Sequence, residues 1–162
     1  MALPRVTRRK LLAAAAAAGV ACAFPRHESD AQGFLANLAP EEAVEATLKR
    51  LFPGRPLRDG AAVMTFEAPL IAEDGGNVAV SVEVKSPMTP QSYVKAIYIL
   101  SDKNPRPLNV KVNLTPACGQ AYVATSIRLA DTGDVRAVAE MQDGALWMVK
   151  RSVSVVVAGC AA

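Results

Sequence analysis

The chain of 162 residues is long enough for one domain with a substantial hydrophobic core, without disulfides to staple it. Lys and Arg total 18 and Asp and Glu total 15, but residues 1–32 carry five of the basic residues and two of the acids. The rest of the chain, with 13 of each, is formally neutral. This balance argues against nucleic-acid binding, which relies on a basic surface to displace counterions.

The N-terminal segment has the pattern of a twin-arginine export signal. Arg8 and Arg9 precede a run of small apolar residues from Ala13 to Ala23. The run is shorter than the roughly 20 apolar residues that span a bilayer, so no stable membrane anchor is predicted. The alternative is a basic, Ala-rich N-terminal helix with no role in export.

Export leads to three further expectations. A cleavage site at Ala21–Ala23 would remove Cys22, whereas a lipid anchor on Cys22 is disfavoured because Gly19 stands where lipoprotein signals prefer Leu. We expect an export signal and approach segment over residues 1–31 and the folded domain over residues 32–162. The expected location is the periplasm, where oxidising conditions make any free thiol notable.

The first predicted element of the domain is a helix from Pro40 to about Phe52, ended by Pro53-Gly54. The residues that suit the helix dipole are Glu41 and Glu42 at its start and Lys49 and Arg50 near its end. The apolar stripe at helical spacing is Val44, Leu48, Leu51 and Phe52.

Beyond Gly60 the apolar residues recur at every second position, which predicts half-buried strands. The clearest is Val78–Lys85, with valine at each alternate position. The others are Asn109–Leu114, Val123–Leu129, Val135–Met141 and Leu146–Val157. In the last of these, one face is predicted to carry Trp147, Val149, Val153, Val155 and Val157.

The segment Val94–Leu100 is apolar on both faces, with Tyr98 on one and Ile97 and Ile99 on the other. Such a strand is buried on two sides. In a protein of two sheets, the second cover is predicted to be a partner chain, which favours a heterodimer.

Turn signals separate the strands at Asp74–Asn77, Asn104–Pro107, Asp131–Asp134 and Asp143-Gly144. We interpret Asp74-Gly75-Gly76 as a hairpin turn rather than a ligand-binding loop. About seven strands at this spacing, without helices between them, predict an all-β, immunoglobulin-like sandwich preceded by one N-terminal helix.

The residue inventory argues against an enzyme. The sole histidine is His27, in or just after the export segment, so the domain has no imidazole for acid–base catalysis or metal and haem ligation. There is no Cys-x-x-Cys, haem-attachment or phosphate-loop motif. No cofactor and no metal are predicted.

Two cysteines remain in the domain, Cys118 and Cys160. One hypothesis is a structural disulfide between them, in an exported immunoglobulin-like binding or assembly module. The other is that Cys160 is a functional thiol. It lies beyond the last predicted strand, where a disulfide would hold only a tail and not an ordered element.

The residues around Cys160 favour an exposed, flexible arm. Gly159 allows free backbone rotation, and only Ala161 and Ala162 follow. The nearest fixed charge is the C-terminal carboxylate, and a neighbouring anion disfavours the reactive thiolate. We therefore expect partner active sites to supply the activating charge, as they would for a carrier.

Several separated motifs resemble the SoxY family, the sulfur-substrate carriers of bacterial thiosulfate oxidation. In chain order they are Pro69–Gly76, Ser86–Pro90, Ile97–Ser101 with Asn104–Pro107, and Ile127–Ala130. The resemblance covers roughly residues 40–162 and includes the twin-arginine signal.

The resemblance implies an immunoglobulin-like fold and a heterodimer with a second β-sandwich subunit, SoxZ. It implies that Cys160 carries thiosulfate and its oxidation intermediates as covalent adducts. A c-type cytochrome enzyme would load the cysteine, a hydrolase would release sulfate, and a sulfane dehydrogenase would oxidise the remaining sulfur.

The tail departs from the family's Gly-Gly-Cys-Gly-Gly pattern, because alanine replaces glycine at Ala158, Ala161 and Ala162. Alanine restricts the backbone and adds a methyl group to an arm that must enter narrow clefts. A further alternative is that the chain is a paralogue that no longer carries sulfur intermediates. The resemblance assigns no role to Cys118.

Overall fold

The computed structural model describes residues 39–157. The predicted export signal, its cleavage site and the predicted boundary between residues 31 and 32 lie outside the described residues. So do Ala158, Gly159, Cys160, Ala161 and Ala162. Within residues 39–157, no helix is long and apolar enough to cross a bilayer.

Residues 39–157 form one α-helix and nine strands. The elements are α1 (Val44–Leu51), β1 (Leu57–Asp59), β2 (Met64–Glu67), β3 (Ile71–Asp74), β4 (Val78–Val84), β5 (Val94–Ser101), β6 (Leu108–Asn113), β7 (Ala121–Ile127), β8 (Gly133–Met141) and β9 (Leu146–Val157). One sheet runs β1-β9-β8-β5-β6, with β3 also paired to β9, and the other runs β2-β4-β7. The two sheets enclose a common core, which confirms the all-β, immunoglobulin-like sandwich preceded by one helix.

The alternation predicted for β4 is confirmed. Its four valines are buried in the core between the sheets, while Ala79 and Glu83 are exposed on the opposite face. β9 follows the same rule over most of its length, since Trp147, Val149, Val153 and Val155 contact that core. Val157 lies beyond the core and is exposed.

The partner chain expected over β5 is not what covers this strand. Ile97 and Ile99 are buried between the two sheets, as expected. On the other face, Tyr98 packs in a second core cluster with Phe52 of the C-terminal end of the α1 segment. The second cover is therefore this chain's own helix, and every side chain of β5 except that of Lys95 is buried.

The helix begins later than predicted, at Val44 instead of Pro40. Residues 39–43 run along the β5–β6 turn, where the backbone N–H of Glu42 donates to Pro105 and the side chain of Arg106 donates to the carbonyl of Ala39. These tertiary hydrogen bonds hold the segment extended, against its helical propensity. The predicted apolar stripe is confirmed, with Leu51 half-buried and the other three residues buried.

The Asp74-Gly75-Gly76 segment is a turn, but the hairpin interpretation is wrong. β3 pairs with β9 and β4 pairs with β2 and β7, so the turn carries the chain from one sheet to the other. The six strands placed from the sequence correspond to β4–β9, and the short strands β1, β2 and β3 bring the total in residues 39–157 to nine, against the expected total of about seven.

Candidate functional site

The candidate site is the C-terminal end of β9, where the chain leaves the sandwich three residues before Cys160. This end is held on both sides. The N–H of Ser154 donates to the carbonyl of Leu70 at 2.9 Å, and the N–H of Val155 donates to the Thr132 hydroxyl at 2.9 Å. The carbonyl of Val157 accepts from the N–H of Gly75 at 2.8 Å.

The turn between β3 and β4 provides the last of these anchors. Its conformation is fixed by the carboxylate of Asp74, which accepts from the N–H of Gly76 at 2.7 Å. The carbonyl of Gly75 accepts from the N–H of Leu129 at 2.7 Å. The acidic Gly-Gly motif therefore positions the base of the cysteine tail, and this role was not apparent from the sequence.

A second clamp joins β8 and β9 before the tail. The Asp134 carboxylate accepts hydrogen bonds from Ser152 and from Lys150, the latter at 3.0 Å. The Ser152 hydrogen bond, followed by that from Lys150, lowers the pKa of Asp134 below its ordinary value. Because the pair is exposed, we assign it a positioning role and little stability.

Cys118 lies at the other end of the sandwich. It ends a 3₁₀ turn, Pro116–Cys118, and is exposed, with no disulfide partner in the described part of the chain. Just before this turn, the N–H of Leu114 donates to the carbonyl of Lys95 at the start of β5. The start of β5 pairs with the end of β8, which is also where β9 begins at Leu146.

The distance between the two ends bears on the predicted disulfide. β9 spans 12 residues, or about 36 Å at about 3.3 Å per residue. Three residues from Val157 to Cys160 reach at most about 11 Å, and a disulfide requires Cα atoms within about 7 Å. Covalent reach from the folded sandwich therefore weighs against a Cys118–Cys160 bond.

Four apolar side chains on β9 and on the neighbouring start of β3 are exposed, which was not predicted from the sequence: Leu70, Ile71, Val156 and Val157. The sequence did contain one signal, because each pair places two adjacent apolar residues where alternation requires a polar residue at one of the positions. The described residues contain no group of three His, Cys, Asp or Glu side chains placed to hold a metal ion.

The fold defines the class: an immunoglobulin-like β-sandwich protein, with a cysteine three residues beyond its last strand. Residues 48–160 match the sequence model of "Sulfur oxidation protein SoxY", which covers more than half of the chain. The chain belongs to the SoxY family. No curated protein matches it.

Solved structures support the fold. The sulfur carrier protein SoxY from Chlorobium limicola f thiosulfatophilum has 24% identity and a TM-score of 0.58, over 70% of this chain and 96% of that one. A superoxide reductase (neelaredoxin) from Ignicoccus hospitalis has 19% identity and a TM-score of 0.52, over 57% of this chain and 80% of that one. At these identities, both likenesses establish the fold alone.

Proposed function

We propose that this protein is a carrier and not an enzyme: Cys160 holds sulfur intermediates of thiosulfate oxidation and presents them to separate enzymes. The observation that carries the proposal is the extent of the family match, which ends at residue 160 and so includes the cysteine. Ala158, Gly159, Ala161 and Ala162 would form the arm. The rigid anchoring of β9 supports this role, because it fixes the point from which the arm extends.

The loading step joins the Cys160 sulfur to the terminal sulfur of thiosulfate. The thiol proton is released, and two electrons pass, one at a time, to the haem groups of a c-type cytochrome enzyme, which is the oxidant. The product is a cysteine S-thiosulfonate. Hydrolysis then breaks the bond to the sulfonate sulfur: water enters, sulfate and two protons leave, and a persulfide anion remains on Cys160.

Two further steps return the carrier to its starting form. A sulfane dehydrogenase oxidises the outer sulfur of the persulfide to a sulfonate, taking three oxygens from water with release of six protons and transfer of six electrons to its own acceptor. Hydrolysis of that S-sulfonate releases sulfate and a proton and regenerates the thiol. In every step the enzyme supplies the reactive groups, and this chain supplies the cysteine sulfur to which the intermediate is bound.

The alternative, a binding or assembly module with a Cys118–Cys160 disulfide, is less well supported. The two cysteines would have to meet across the length of β9, beyond the reach of the three intervening residues. The carrier proposal requires no such contact.

The proposal includes a heterodimer with a β-sandwich subunit of the SoxZ type. It rests on the family, because β5, the strand first expected to face the partner, is covered by α1. Co-expression followed by light scattering tests it, and a stable monomer beside the co-expressed subunit would contradict it.

We also propose periplasmic location through twin-arginine export. Replacing Arg8 and Arg9 with lysine keeps the charge but removes the arginine pair that the pathway reads. Cell fractionation should then find the full-length precursor in the cytoplasm. Periplasmic accumulation at the wild-type level would contradict this export route.

Intact-mass analysis tests the carrier function directly. Protein from cells oxidising thiosulfate should carry thiosulfonate or polysulfide adducts on the peptide that ends at Ala162. A single species two protons lighter than the dithiol form, without adducts, would instead support the disulfide module.

A pair of matched variants completes this test. Cys160→Ser should abolish both the adducts and thiosulfate-dependent oxygen uptake, whereas Cys118→Ser should retain both. Unchanged uptake by Cys160→Ser would remove this cysteine from the mechanism.

A further inference from the structure

The largest concentration of exposed apolar surface lies at the base of the cysteine tail. Within residues 39–157, five large hydrophobic side chains are exposed. Four of them form two adjacent pairs on paired strands, one pair where β3 begins, level with Ser154, and the other at the end of β9. We call these four the apolar rim: Leu70 (78% exposed), Ile71 (64%), Val156 (69%) and Val157 (61%). Scattered apolar side chains need no explanation, but a cluster of this kind marks an interaction site.

The apolar rim is a rigid feature of the sheet. β3 and β9 pair in parallel with Ile71 opposite Ser154 and Ala72 opposite Val155. Ala72 and Val155 face the core, so Ile71 and Val156 project together from the outer face. A surface preorganised in this way loses little conformational entropy when a partner covers it.

We propose that the apolar rim is the docking surface for the thiosulfate-coupling cytochrome enzyme that loads Cys160. The inference rests on the proposed carrier function. Cys160 is three residues beyond Val157, so its Cα atom stays within about 11 Å of Val157, the rim residue nearest to it in the chain. An enzyme that encloses the thiol must bring the mouth of its active site to this end of the sandwich, and the rim is the surface that the mouth meets.

The charges beside the rim specify the chemistry of that enzyme. Glu73 and Asp74 follow Ile71 on β3, and neither forms an ion pair with another described residue. The thiosulfonate adduct is also anionic. The complementary partner is an active-site mouth with apolar contacts and cationic side chains around it.

Enzyme-dependent loading tests the proposal. The reduced full-length protein is mixed with thiosulfate and the purified thiosulfate-coupling cytochrome of the same organism, and adduct formation on Cys160 is followed by intact mass. Ile71→Lys and Val156→Lys should each lower the loading rate about tenfold. The matched control is Tyr122→Lys, because Tyr122 is the fifth exposed side chain and lies on β7 in the other sheet; it should load at the wild-type rate.

Three measurements separate docking from other causes. Alkylation of Cys160 by iodoacetamide should be unchanged in both rim variants, because the thiol itself remains accessible. Glu73→Gln should weaken the dependence of loading on ionic strength, since one charge pair with the cationic mouth is lost. If either lysine variant has a reduced folded fraction by circular dichroism, Val156→Ser replaces it, with the same slower loading expected.

The outcomes distinguish this inference from the carrier function. A wild-type chain that acquires no adduct would overturn both. A wild-type chain that loads, together with rim variants that load equally fast, would overturn the docking surface alone. Loss of the heterodimer, or of self-association in light scattering, in the rim variants would assign the rim to that interface and overturn docking of the cytochrome enzyme.

Discussion

Tyr98 donates a hydrogen bond of 2.8 Å to the carboxylate of Glu140, joining β5 to β8 beneath the helix. Arg55 donates to the other oxygen of Glu140 at 3.0 Å, and the ring of Phe52 contacts that of Tyr98 edge-on at 5.0 Å. The end of α1 is thereby fixed to the sheet whose β9 carries the tail. Apolar packing and a satisfied buried carboxylate act together at this junction.

We expect Tyr98→Phe to lower the free energy of unfolding by about 1.5–3 kcal/mol, because a buried carboxylate loses a hydrogen-bond donor. Urea denaturation measures the change. Tyr122→Phe is the matched control, since the Tyr122 side chain is exposed, and it should leave the free energy nearly unchanged. Equal values for the two variants would show that the Tyr98–Glu140 hydrogen bond adds nothing to stability.

The same hydrogen bond predicts an alkaline limit of stability. Burial, followed by the hydrogen bond to Glu140 and its charge, raises the pKa of Tyr98 from 10.0 to about 12. The unfolded chain therefore loses this proton first, and the contribution to stability falls as the pH rises from 10 towards 12. Denaturation across this range should show the loss in the wild type and a smaller one in Tyr98→Phe.

At low pH, the free energy of unfolding falls for the opposite reason: Glu140 gains a proton, whereas at high pH Tyr98 loses one. Burial alone would raise the pKa of Glu140, but the hydrogen bonds from Tyr98 and Arg55 and the charges of Arg55 and Lys95 outweigh it, so the pKa is lowered from 4.5. The contribution to stability is present above 4.5 and is lost as the pH falls through the lowered value.

Glu140→Gln isolates this contribution from the other carboxylates. The wild type should be more stable than the variant at neutral pH, and the difference should shrink on acidification below 4.5. Denaturant titrations of both proteins at a series of pH values measure it. A difference that stays constant with pH would show that the ionised form of Glu140 does not stabilise the fold.

The strands that sequence periodicity predicted are those long enough to show it. β4 alternates over seven residues, whereas β1, β2 and β3 have three or four each. Such short segments present too few alternations to be distinguished from loops, and two of them exist because β9 provides an edge for parallel pairing. Pairing across the chain is a tertiary property that local pattern does not contain.

In the candidate site, too, the features that depend on local sequence were predicted, and those that depend on tertiary contacts were not. Cys160 stood out in the sequence because of its position near the chain's end, whereas the anchoring role of Gly75 depends on contacts with Val157 and Leu129, which are distant in sequence. The face of β5 that carries Tyr98 was correctly predicted to be buried. Its cover was assigned wrongly, because an apolar stripe does not specify what it packs against.

Because α1 covers the face of β5 that carries Tyr98, removing a large side chain from the end of α1 should destabilise the fold. Phe52→Ala should cost about 3–5 kcal/mol, because it leaves a cavity over Tyr98 in the cluster beneath the helix. Thermal or urea unfolding measures the loss. Leu51→Ala, at a half-buried position of the same helix, should cost clearly less, and a heterodimer should still form under conditions where the variant is folded. A change near zero for Phe52→Ala would show that the packing of Phe52 against Tyr98 adds little to the stability of the fold.

The last prediction concerns the alanines of the tail. Replacing Ala158, Ala161 and Ala162 with glycine restores the family's pattern, removes three methyl groups and restores access to left-handed backbone conformations. Each such change alters backbone ordering by about 0.4–1 kcal/mol. If the narrow active-site mouth is limiting, the triple glycine variant should load Cys160 faster with the cytochrome and thiosulfate.

Its rate of alkylation by iodoacetamide should stay the same, because a small reagent does not require the arm to enter a cleft. Combining the triple variant with Ile71→Lys separates the arm from the docking surface: the two effects should multiply if the rim sets encounter and the arm sets entry. A triple variant that loads no faster than the wild type would show that this chain's enzymes accept the stiffer alanine tail as well as a glycine tail.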